Sequence, residues 1–168
     1  DITILTNGLL VKKYWESVSN YVKNKINLVS VSIDAASENT YQINRRGGDW
    51  NELQENLEFI HQLRKSGKIN RFHASMVVQE NNFCEIKDFI IMCEKYEMDL
   101  VQLQIIEPDF IRDLGHGDYF DEWATKAVQE KTHPRHEELS LVVKDPFFNK
   151  YVERCINESG TGMCLDMG

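Results

Sequence analysis

The stretch 28–50, LVSVSIDAASENTYQINRRGGDW, decides the fold. Its opening residues alternate between two faces, and a period of two over this length predicts a β-strand. One face is apolar throughout and consists of Val29, Val31 and Ile33. The other face begins with Leu28 and becomes polar with Ser30, Ser32 and Asp34. Because ligands of parallel α/β sheets lie at the carboxyl ends of the strands, we expect Ser32 and Asp34 to contact one.

A short helix and a glycine-rich turn are predicted after this strand. Ser37 is typical of an N-cap residue, and the helix is expected to run through Asn44. The basic pair Arg45–Arg46 is followed directly by Gly47–Gly48. A cation pair before two glycines favours a turn that backbone or ligand can approach closely.

Three further strands are predicted from alternating patterns, at residues 1–5, 71–79 and 100–106. Helical spacing of apolar residues predicts helices between them, at about 11–25, from Asp49 to Gly67, and around 86–93. Asp49 starts a capping box with Glu52, and Leu53, Leu57, Ile60 and Leu63 give that helix its apolar stripe. The resulting order is β-α-β-α-β-α-β, which favours parallel strands joined by right-handed crossovers.

Polar side chains gather on one face of these strands: Ser30, Ser32, Asp34, Ser75, Gln79, Gln102 and Gln104. Such a face is expected to line a cavity, whereas helices cover both faces of a doubly wound sheet. The predicted fold class is therefore α/β, a partial (β/α) barrel with a mostly parallel sheet and outer helices.

The character of the chain changes after Pro108, so we predict two regions, 1–108 and 109–168. The second region is expected to be a helical C-terminal extension, with helices at about 118–131, from Pro134 to about 143, and from Asp145–Pro146 to about 157. The glycine-containing residues 159–168 are expected to form a loose tail.

Composition narrows the class of protein. A net charge of −8 and a pI near 5.1 argue against non-specific nucleic-acid binding, which needs many basic side chains. No apolar run approaches the ~20 residues that span a bilayer, and no signal peptide is recognisable, so no membrane partner is expected. The chain starts at Asp1 without a methionine and becomes apolar at once, as expected of a fragment.

The cysteines fit neither a disulfide framework nor a C-x2-C metal motif: Cys84, Cys93, Cys155 and Cys164. A reduced, cytoplasmic protein is therefore predicted. Cys84 and Cys93 fall on or beside a helix, which favours buried structural thiols. His133 and His136 form an H-x2-H pair, for which polar residues at a helix start are favoured over metal ligands.

Three motifs in this order resemble the radical S-adenosylmethionine superfamily. They are Thr6-Asn7-Gly8, the strand VSIDA with the RRGGD turn, and Val77–Asn82, VVQENN. The resemblance covers residues 2–108 and corresponds to the later part of such an enzyme's core domain. The family's C-x3-C-x2-C cluster loop is absent from the sequence. The resemblance therefore implies a fragment whose missing N-terminal part would hold the [4Fe–4S] cluster.

The resemblance also implies a binding site for S-adenosylmethionine, a small-molecule cofactor. Thr6, Asn7 and Gly8 would line its amino-acid end, and Ser32 with Asp34 would contact its carboxylate or ribose. Arg46 is chosen for the methionyl carboxylate, although the sequence leaves open whether Arg45 or Arg46 faces inward. Val78 and Gln79 would lie against the adenine. Plain turns, buried strand residues and surface salt bridges remain alternatives for these positions.

Cys155 lies before Gly160 and Gly162, and many superfamily members carry an auxiliary cluster after the barrel. The resemblance therefore implies Cys155 and Cys164 as possible ligands of an auxiliary cluster, while no catalytic residue is assigned.

Three functional hypotheses follow. The first is a fragment of a radical S-adenosylmethionine enzyme that binds this cofactor and is inactive alone. The second is a different barrel enzyme that uses Asp34, Gln102 and Glu107 for acid–base chemistry, which predicts a raised carboxylate pKa. The third is a non-catalytic half-barrel binding module. In each case the strand near Ile2 is expected to be an open sheet edge that favours dimerisation.

Overall fold

A computed structural model describes residues 1–106, 123–156 and 162–167. Four strands run parallel and in chain order, and a fifth and sixth complete the sheet as β1-β2-β3-β4-β6-β5. The parallel strands are β1 (Ile2–Thr6), β2 (Ile26–Ser32), β3 (Arg71–Val78) and β4 (Leu100–Ile105). The predicted α/β class with a mostly parallel sheet is confirmed.

Helices connect the parallel strands. Their bounds are α1 (Val11–Trp15), α2 (Asn20–Lys23), α3 (Glu38–Asn44), α4 (Trp50–Lys65) and α5 (Ile86–Lys95), the last preceded by a 3-10 turn at Phe83–Glu85. Beyond β4, residues 123–126 are helical, followed by α6 (His136–Val143) and a 3-10 helix at Pro146–Lys150.

The predicted caps of α3 and α4 are confirmed. The Ser37 hydroxyl accepts a hydrogen bond from the Thr40 backbone N–H at 3.4 Å. The Asp49 carboxylate accepts one from the Glu52 N–H at 2.8 Å. Helix α4 ends at Lys65, and Gly67 takes a positive φ of 70°, as expected of a residue after a C-cap.

The two faces of the sheet differ as predicted. The helix-covered face is fully apolar: Val29, Val31 and Ile33 are 0% exposed, and Phe72, Ala74 and Met76 continue the layer on β3. These residues share one core cluster with the predicted stripe of α4. The opposite face carries the polar side chains, and strand register aligns Ser32 with Ser75 and Ser75 with Gln102.

The prediction of a single helix at 11–25 is wrong, because the structure has two short helices there, α1 and α2. The Ser17 hydroxyl donates to the Tyr14 carbonyl at 2.6 Å, and Ser19 caps α2 by accepting from Val22 N–H at 3.4 Å. Serine side chains that bond the local backbone compete with helix continuation. The apolar spacing was therefore a correct sign of helix, but not of one helix.

The end of the extension is a β-hairpin, which the sequence did not predict. Strand β5 (Val152–Ile156) replaces the last turns of the expected helix to 157, and β6 (Gly162–Asp166) replaces part of the expected loose tail. Strand β6 pairs antiparallel with β4, aligning Leu100 with Asp166. Both strands are short; β6 is stabilised by pairing with β4 and β5 by pairing with β6, rather than by local propensity.

Among the described residues, β1 and β5 form the edges of the sheet. The predicted open edge at the start of the chain is thus confirmed, whereas the dimer expected from it stays a prediction. In the described part of the chain, no helix has the length and apolar character needed to cross a bilayer.

Candidate ligand site at the carboxyl ends of the strands

Asp34 lies just beyond β2, where the backbone turns sharply. The predicted strand extends to this residue, but the observed strand ends at Ser32 and Asp34 adopts a positive φ of 62°. Only a few per cent of non-glycine residues take this conformation, with aspartate among the most tolerant. Its side chain consequently leaves the alternating pattern of the strand and is 7% exposed.

Both carboxylate oxygens of Asp34 are engaged. Oδ1 accepts a hydrogen bond from the Val77 backbone N–H at 2.8 Å, and Oδ2 lies 2.6 Å from Nη2 of Arg45. Burial raises the pKa of the Asp34 carboxyl above its ordinary value, while the Arg45 charge and the Val77 hydrogen bond lower it without cancelling that effect.

The structure distinguishes the two arginines. Arg45 follows the last residue of α3 and turns toward Asp34, with its side chain 29% exposed. Its Nε atom is buried and has no hydrogen-bond partner among the described atoms. Arg46, the residue chosen from the sequence, is exposed to solvent. The arginine that the fold brings to the carboxylate is therefore Arg45.

The two glycines after Arg46 fit close contacts. A Cβ atom at Gly48 would lie 2.8 Å from Cε1 of Tyr41, so a side chain there would collide with a buried ring. Tyr41 in turn packs on Trp50, with ring centroids 5.4 Å apart. The turn is thus held against the start of α4 by aromatic packing.

The Thr6-Asn7-Gly8 turn follows β1 at the same end of the sheet. Gly8 has φ of 86°, and a Cβ atom there would lie 2.9 Å from Cγ1 of Val31. The Thr6 hydroxyl accepts from the Gly8 N–H at 3.0 Å, and the Asn7 amide oxygen accepts from the Leu9 N–H at 3.3 Å. The side chains of Thr6 and Asn7 are therefore bonded to the backbone of their own turn, and the turn packs directly on β2.

A cavity of about 340 Å³ brings the two turns together. Its lining residues come from the turn after β1 and from the end of α3: Asn7, Leu9, Tyr41, Asn44, Arg45, Arg46, Gly47 and Gly48. Larger cavities of about 430 and 510 Å³ lie near Asp99 and near Ile26, at the opposite ends of the strands. In α/β sheets ligands bind outside the carboxyl ends, so the smaller cavity is the relevant one.

Below this cavity, polar side chains line the inner face of the sheet. The Ser75 hydroxyl lies 3.2 Å from that of Ser32. His73 lies two residues before Ser75 on β3, where it aligns with Ser30, and it is 9% exposed. Burial and the nearby Arg71 charge lower the His73 pKa, so this imidazole is neutral at pH 7.

Of the predicted cofactor contacts, Asn7 and Arg46 line the cavity, and the others do not: Thr6, Gly8, Ser32, Asp34, Val78 and Gln79. Val78 is 5% exposed and belongs to the core cluster on the helix side, while Val77 aligns with Gln104 on the inner side. The Gln79 backbone N–H donates to the amide oxygen of Asn82 at 2.7 Å. Neither residue lines the cavity, and their contact with a cofactor remains a prediction.

Sequence reasoning missed three residues that hold this loop. Asn44 and Asn82 both donate to the Asp34 carbonyl, at 2.8 and 3.0 Å. Glu85 accepts from the Ala36 N–H and from the hydroxyls of Ser37 and Thr40, at 2.5–2.7 Å. The VVQENN motif contains Asn82, but its sequence indicated only a turn.

The prediction of buried structural thiols is confirmed for Cys93 and wrong for Cys84. Cys93 is buried, and burial raises the pKa of its thiol, as expected of a structural cysteine. Cys84 is exposed, so the prediction of a buried thiol is wrong there, because the residue lies on the outer side of a 3-10 turn. Strand register pairs Cys155 with Cys164, and their role in an auxiliary cluster stays a prediction.

His133 and His136 serve the local backbone. Nδ1 of His133 accepts from the Arg135 N–H at 3.1 Å, and its Nε2 faces the Thr125 carbonyl at 3.1 Å. His136 begins α6, with Nδ1 3.3 Å from the Val128 carbonyl. Across residues 1–106, 123–156 and 162–167, no three His, Cys, Asp or Glu side chains form a potential metal site. Glu107 lies outside the described residues.

Comparison with known proteins supplies two kinds of similarity. The chain is 36% identical over 89 residues to a GTP 3′,8-cyclase from Alkaliphilus metalliredigens (strain QYMF), a match that covers 53% of this chain and 26% of the cyclase. No family model matches the chain. The chain thus spans about a quarter of the length of this relative.

Two solved structures share the fold. They are TYW1 with a lysine-pyruvate adduct bound, with a TM-score of 0.56, and archaeal TYW1, with a TM-score of 0.54. Each is 16% identical in sequence; the alignments cover 98% of this chain and 46% and 45% of those chains. The motifs at the ends of β1, β2 and β3, the sequence similarity and the shared fold agree, and together they support a relationship to the radical S-adenosylmethionine superfamily.

Proposed function

We propose that this chain is the part of a radical S-adenosylmethionine enzyme that binds and orients S-adenosylmethionine. The observation that carries the proposal is the Asp34–Arg45 pair, whose atoms lie 2.6 Å apart, beside a cavity of about 340 Å³ at the carboxyl ends of parallel strands. A guanidinium fixed by one carboxylate keeps further donors for a ligand carboxylate, which is the group that the methionyl end of the cofactor presents.

The residues at the cavity fit this cofactor. Arg45 would bind the methionyl carboxylate, and the Asn7 amide lies in the same cavity to accept or donate at the amino-acid end. The hydroxyl of Ser32, on the inner face near the end of β2, would reach the ribose. When bound to a reduced cluster, S-adenosylmethionine supplies a carbon-centred radical for hydrogen abstraction; the protein contributes placement and exclusion of water.

The iron–sulfur cluster does not fit the residues of this chain. Its sequence has no C-x3-C-x2-C motif, and the described residues contain no cluster of three potential ligands. We infer that the ligands come from another part of the parent protein, and we derive no step through the cluster. Reconstitution of this chain with iron and sulfide is expected to form no 5′-deoxyadenosine.

A different barrel enzyme, with Asp34 as acid or base, is the second candidate. The raised pKa of Asp34 is the observation that favours it. However, each Asp34 oxygen already accepts a bond within the protein and the side chain is only 7% exposed, so its access to a substrate proton is restricted. The geometry supports a structural partner for Arg45 better than a proton carrier.

The test is a calorimetric titration of the chain with S-adenosylmethionine. Arg45→Lys should weaken binding about tenfold, because lysine cannot present a planar pair of donors. Arg71→Lys, at an exposed arginine on the amino end of β3, is the control and should bind as the wild type does. Equal affinity for wild type and Arg45→Lys, or no binding to the wild type, would refute the proposal. A non-catalytic half-barrel module would also bind no cofactor.

A cytoplasmic location stays a prediction, drawn from the cysteine pattern of the sequence.

A further inference from the structure

The conformation of Asp34 needs outside support. Its φ of 62° is one that side chains other than glycine rarely adopt. Residues in such conformations persist when the surrounding structure over-determines them. The question is therefore which groups hold the Asp34 peptide, since that peptide decides where the carboxylate and its partner Arg45 lie.

The Asp34 carbonyl is held by two amide side chains. Nδ2 of Asn82 donates to it at 3.0 Å, and Nδ2 of Asn44 donates at 2.8 Å. Asn44 belongs to α3, the same element that ends at Arg45, so it moves with the group it would position. Asn82 comes from a separate segment, the turn between β3 and α5, and is the independent anchor.

Asn82 is fully buried and its side chain bonds only to backbone. Besides the Asp34 carbonyl, Nδ2 donates to the Val77 carbonyl at 2.9 Å, and Oδ1 accepts from the Gln79 N–H. Val77 is also the residue whose N–H binds the Asp34 carboxylate. One amide therefore locks the ends of β2 and β3 in a single relative position and closes a ring of hydrogen bonds around Asp34.

We propose that Asn82 is a positioning residue for the candidate ligand site: it holds the Asp34 peptide in its left-handed conformation and thereby keeps the Asp34 carboxylate on Arg45. Asn82 itself does not line the cavity. Its influence on a ligand passes through Asp34 and Arg45. The part of this inference that concerns cofactor affinity rests on the proposed function; the part that concerns Arg45 does not.

The first test needs no ligand. Exchange of the Arg45 guanidinium protons with solvent is measured by NMR in the full chain and in Asn82→Ala. We expect exchange to become about tenfold faster, because Arg45 loses its fixed carboxylate. Arg64, which pairs with Asp99 at 2.7 Å, is an internal control whose exchange should stay unchanged. Unchanged Arg45 exchange, or equal acceleration at Arg64, overturns the proposal.

Asn56 offers a matched variant. It is 3% exposed and makes the same three bonds, donating to the Leu9 and Glu52 carbonyls and accepting from the Lys12 N–H. Asn56→Ala should lower the melting temperature much as Asn82→Ala does, yet leave Arg45 exchange at the wild-type rate. If Asn56→Ala accelerates Arg45 exchange as strongly, general loosening explains the effect and the proposal is wrong.

The second test is a double-mutant cycle in affinity for S-adenosylmethionine. Asn82→Ala alone should weaken binding about tenfold. When Asn82→Ala is added to Asp34→Asn, it should lower the melting temperature relative to Asp34→Asn alone. The affinity should not change further, because the carboxylate through which Asn82 acts is gone. Additive losses in affinity would show that Asn82 does not act through Asp34. If the wild type binds no cofactor, the proposed function fails, while Arg45 exchange still decides the role of Asn82.

Discussion

Asp34 and Asp99 each pair with an arginine, yet their pKa values move in opposite directions. Burial raises the pKa of Asp34, and a single Arg45 contact and one backbone N–H do not reverse it. Burial acts on Asp99 too, but the Arg64 hydrogen bonds and charge together with the Phe72 N–H leave its pKa below the ordinary value. The surroundings of Asp34 thus disfavour its charged form on balance, while those of Asp99 favour the charged form.

The sign of each effect on stability follows from linkage. A raised pKa means that Asp34 contributes its stability below the ordinary aspartate pKa and loses it as pH rises through the raised value. A lowered pKa means that Asp99 contributes its stability above the ordinary pKa and loses it as pH falls through the lowered value. The two carboxylates therefore contribute to stability in opposite pH ranges.

Two substitutions separate these roles. At pH 7, Asp34→Asn should leave the free energy of unfolding within about 0.5 kcal/mol of wild type, because asparagine tolerates positive φ and keeps the Val77 acceptor. Asp99→Asn should lower it by about 1 kcal/mol, since its partner Arg64 is partly exposed and screened by solvent. Urea unfolding measures both.

The Asp99→Asn difference should shrink as pH falls through the lowered pKa of Asp99. A difference that stays constant into that acid range would contradict this assignment, and so would a large loss for Asp34→Asn at pH 7.

Single residues also mark where sequence reasoning reaches its limit. Ser32, Asp34 and the arginine pair were identified from their position after an alternating strand. Which arginine turns inward depends on where α3 ends, and the alternation gave no sign that Asp34 would leave the strand. Asn82 and Glu85 act across the chain on the loop after β2, a relation that no local pattern encodes.

At the scale of elements, helix α3 is short and its first turn is held from outside. Glu85 accepts three hydrogen bonds from Ala36, Ser37 and Thr40, at 2.5–2.7 Å. A helix of this length is marginal by itself, so tertiary contacts must fix it. Because Arg45 follows the last residue of α3, the anchor at the start of the helix also affects where the Arg45 side chain lies.

Glu85→Gln tests this anchor. Glutamine replaces one acceptor oxygen of Glu85 with an NH2 group that only donates. It therefore cannot accept all three bonds, and the free energy of unfolding should fall by about 1–2 kcal/mol. Hydrogen exchange at the Thr40 and Tyr41 amides should accelerate, while α4 stays protected. Glu58→Gln, at an exposed residue bonded only to Gln62 on its own helix, is the control. Loss of protection throughout both helices would argue against a local anchor.

The elements that the sequence predicted well are those with strong local signals. The four parallel strands, the caps at Ser37 and Asp49 and the stripe of α4 all follow from periodicity and capping chemistry. Helices α1 and α2 were merged because serine side chains interrupt the backbone without interrupting the apolar spacing. The hairpin β5–β6 was missed because it is defined by pairing with β4, far away in sequence.

At the scale of the whole molecule, β1 forms one of the two edges of the described sheet. Strand β1 has one neighbour, and large apolar side chains near it are exposed, among them Leu5 at 79% and Tyr21 at 72%. Unpaired strand edges and apolar patches favour association. This edge is therefore available to another polypeptide segment or to a second copy of the chain.

We expect the isolated chain to self-associate through this edge. Light scattering at about 100 μM should detect dimers or larger species. Leu5→Lys should shift the population toward monomer, because it places a charge on the edge strand. Leu141→Lys is the control, since Leu141 is 72% exposed on α6, away from β1. A monomeric wild type, or equal effects of the two substitutions, would contradict the expectation.

The pairing of β6 with β4 also implies an order of assembly. Neighbouring parallel strands are linked by single crossovers, whereas β6 reaches β4 only after the whole extension, with Asp166 aligned on Leu100. Long-range pairings form late, since closing a longer loop costs more entropy. While the polypeptide is being synthesised, the outer side of β4 stays unpaired until residues 162–166 emerge. Translation that stops before β6 would leave a nascent sheet exposed to neighbours and chaperones.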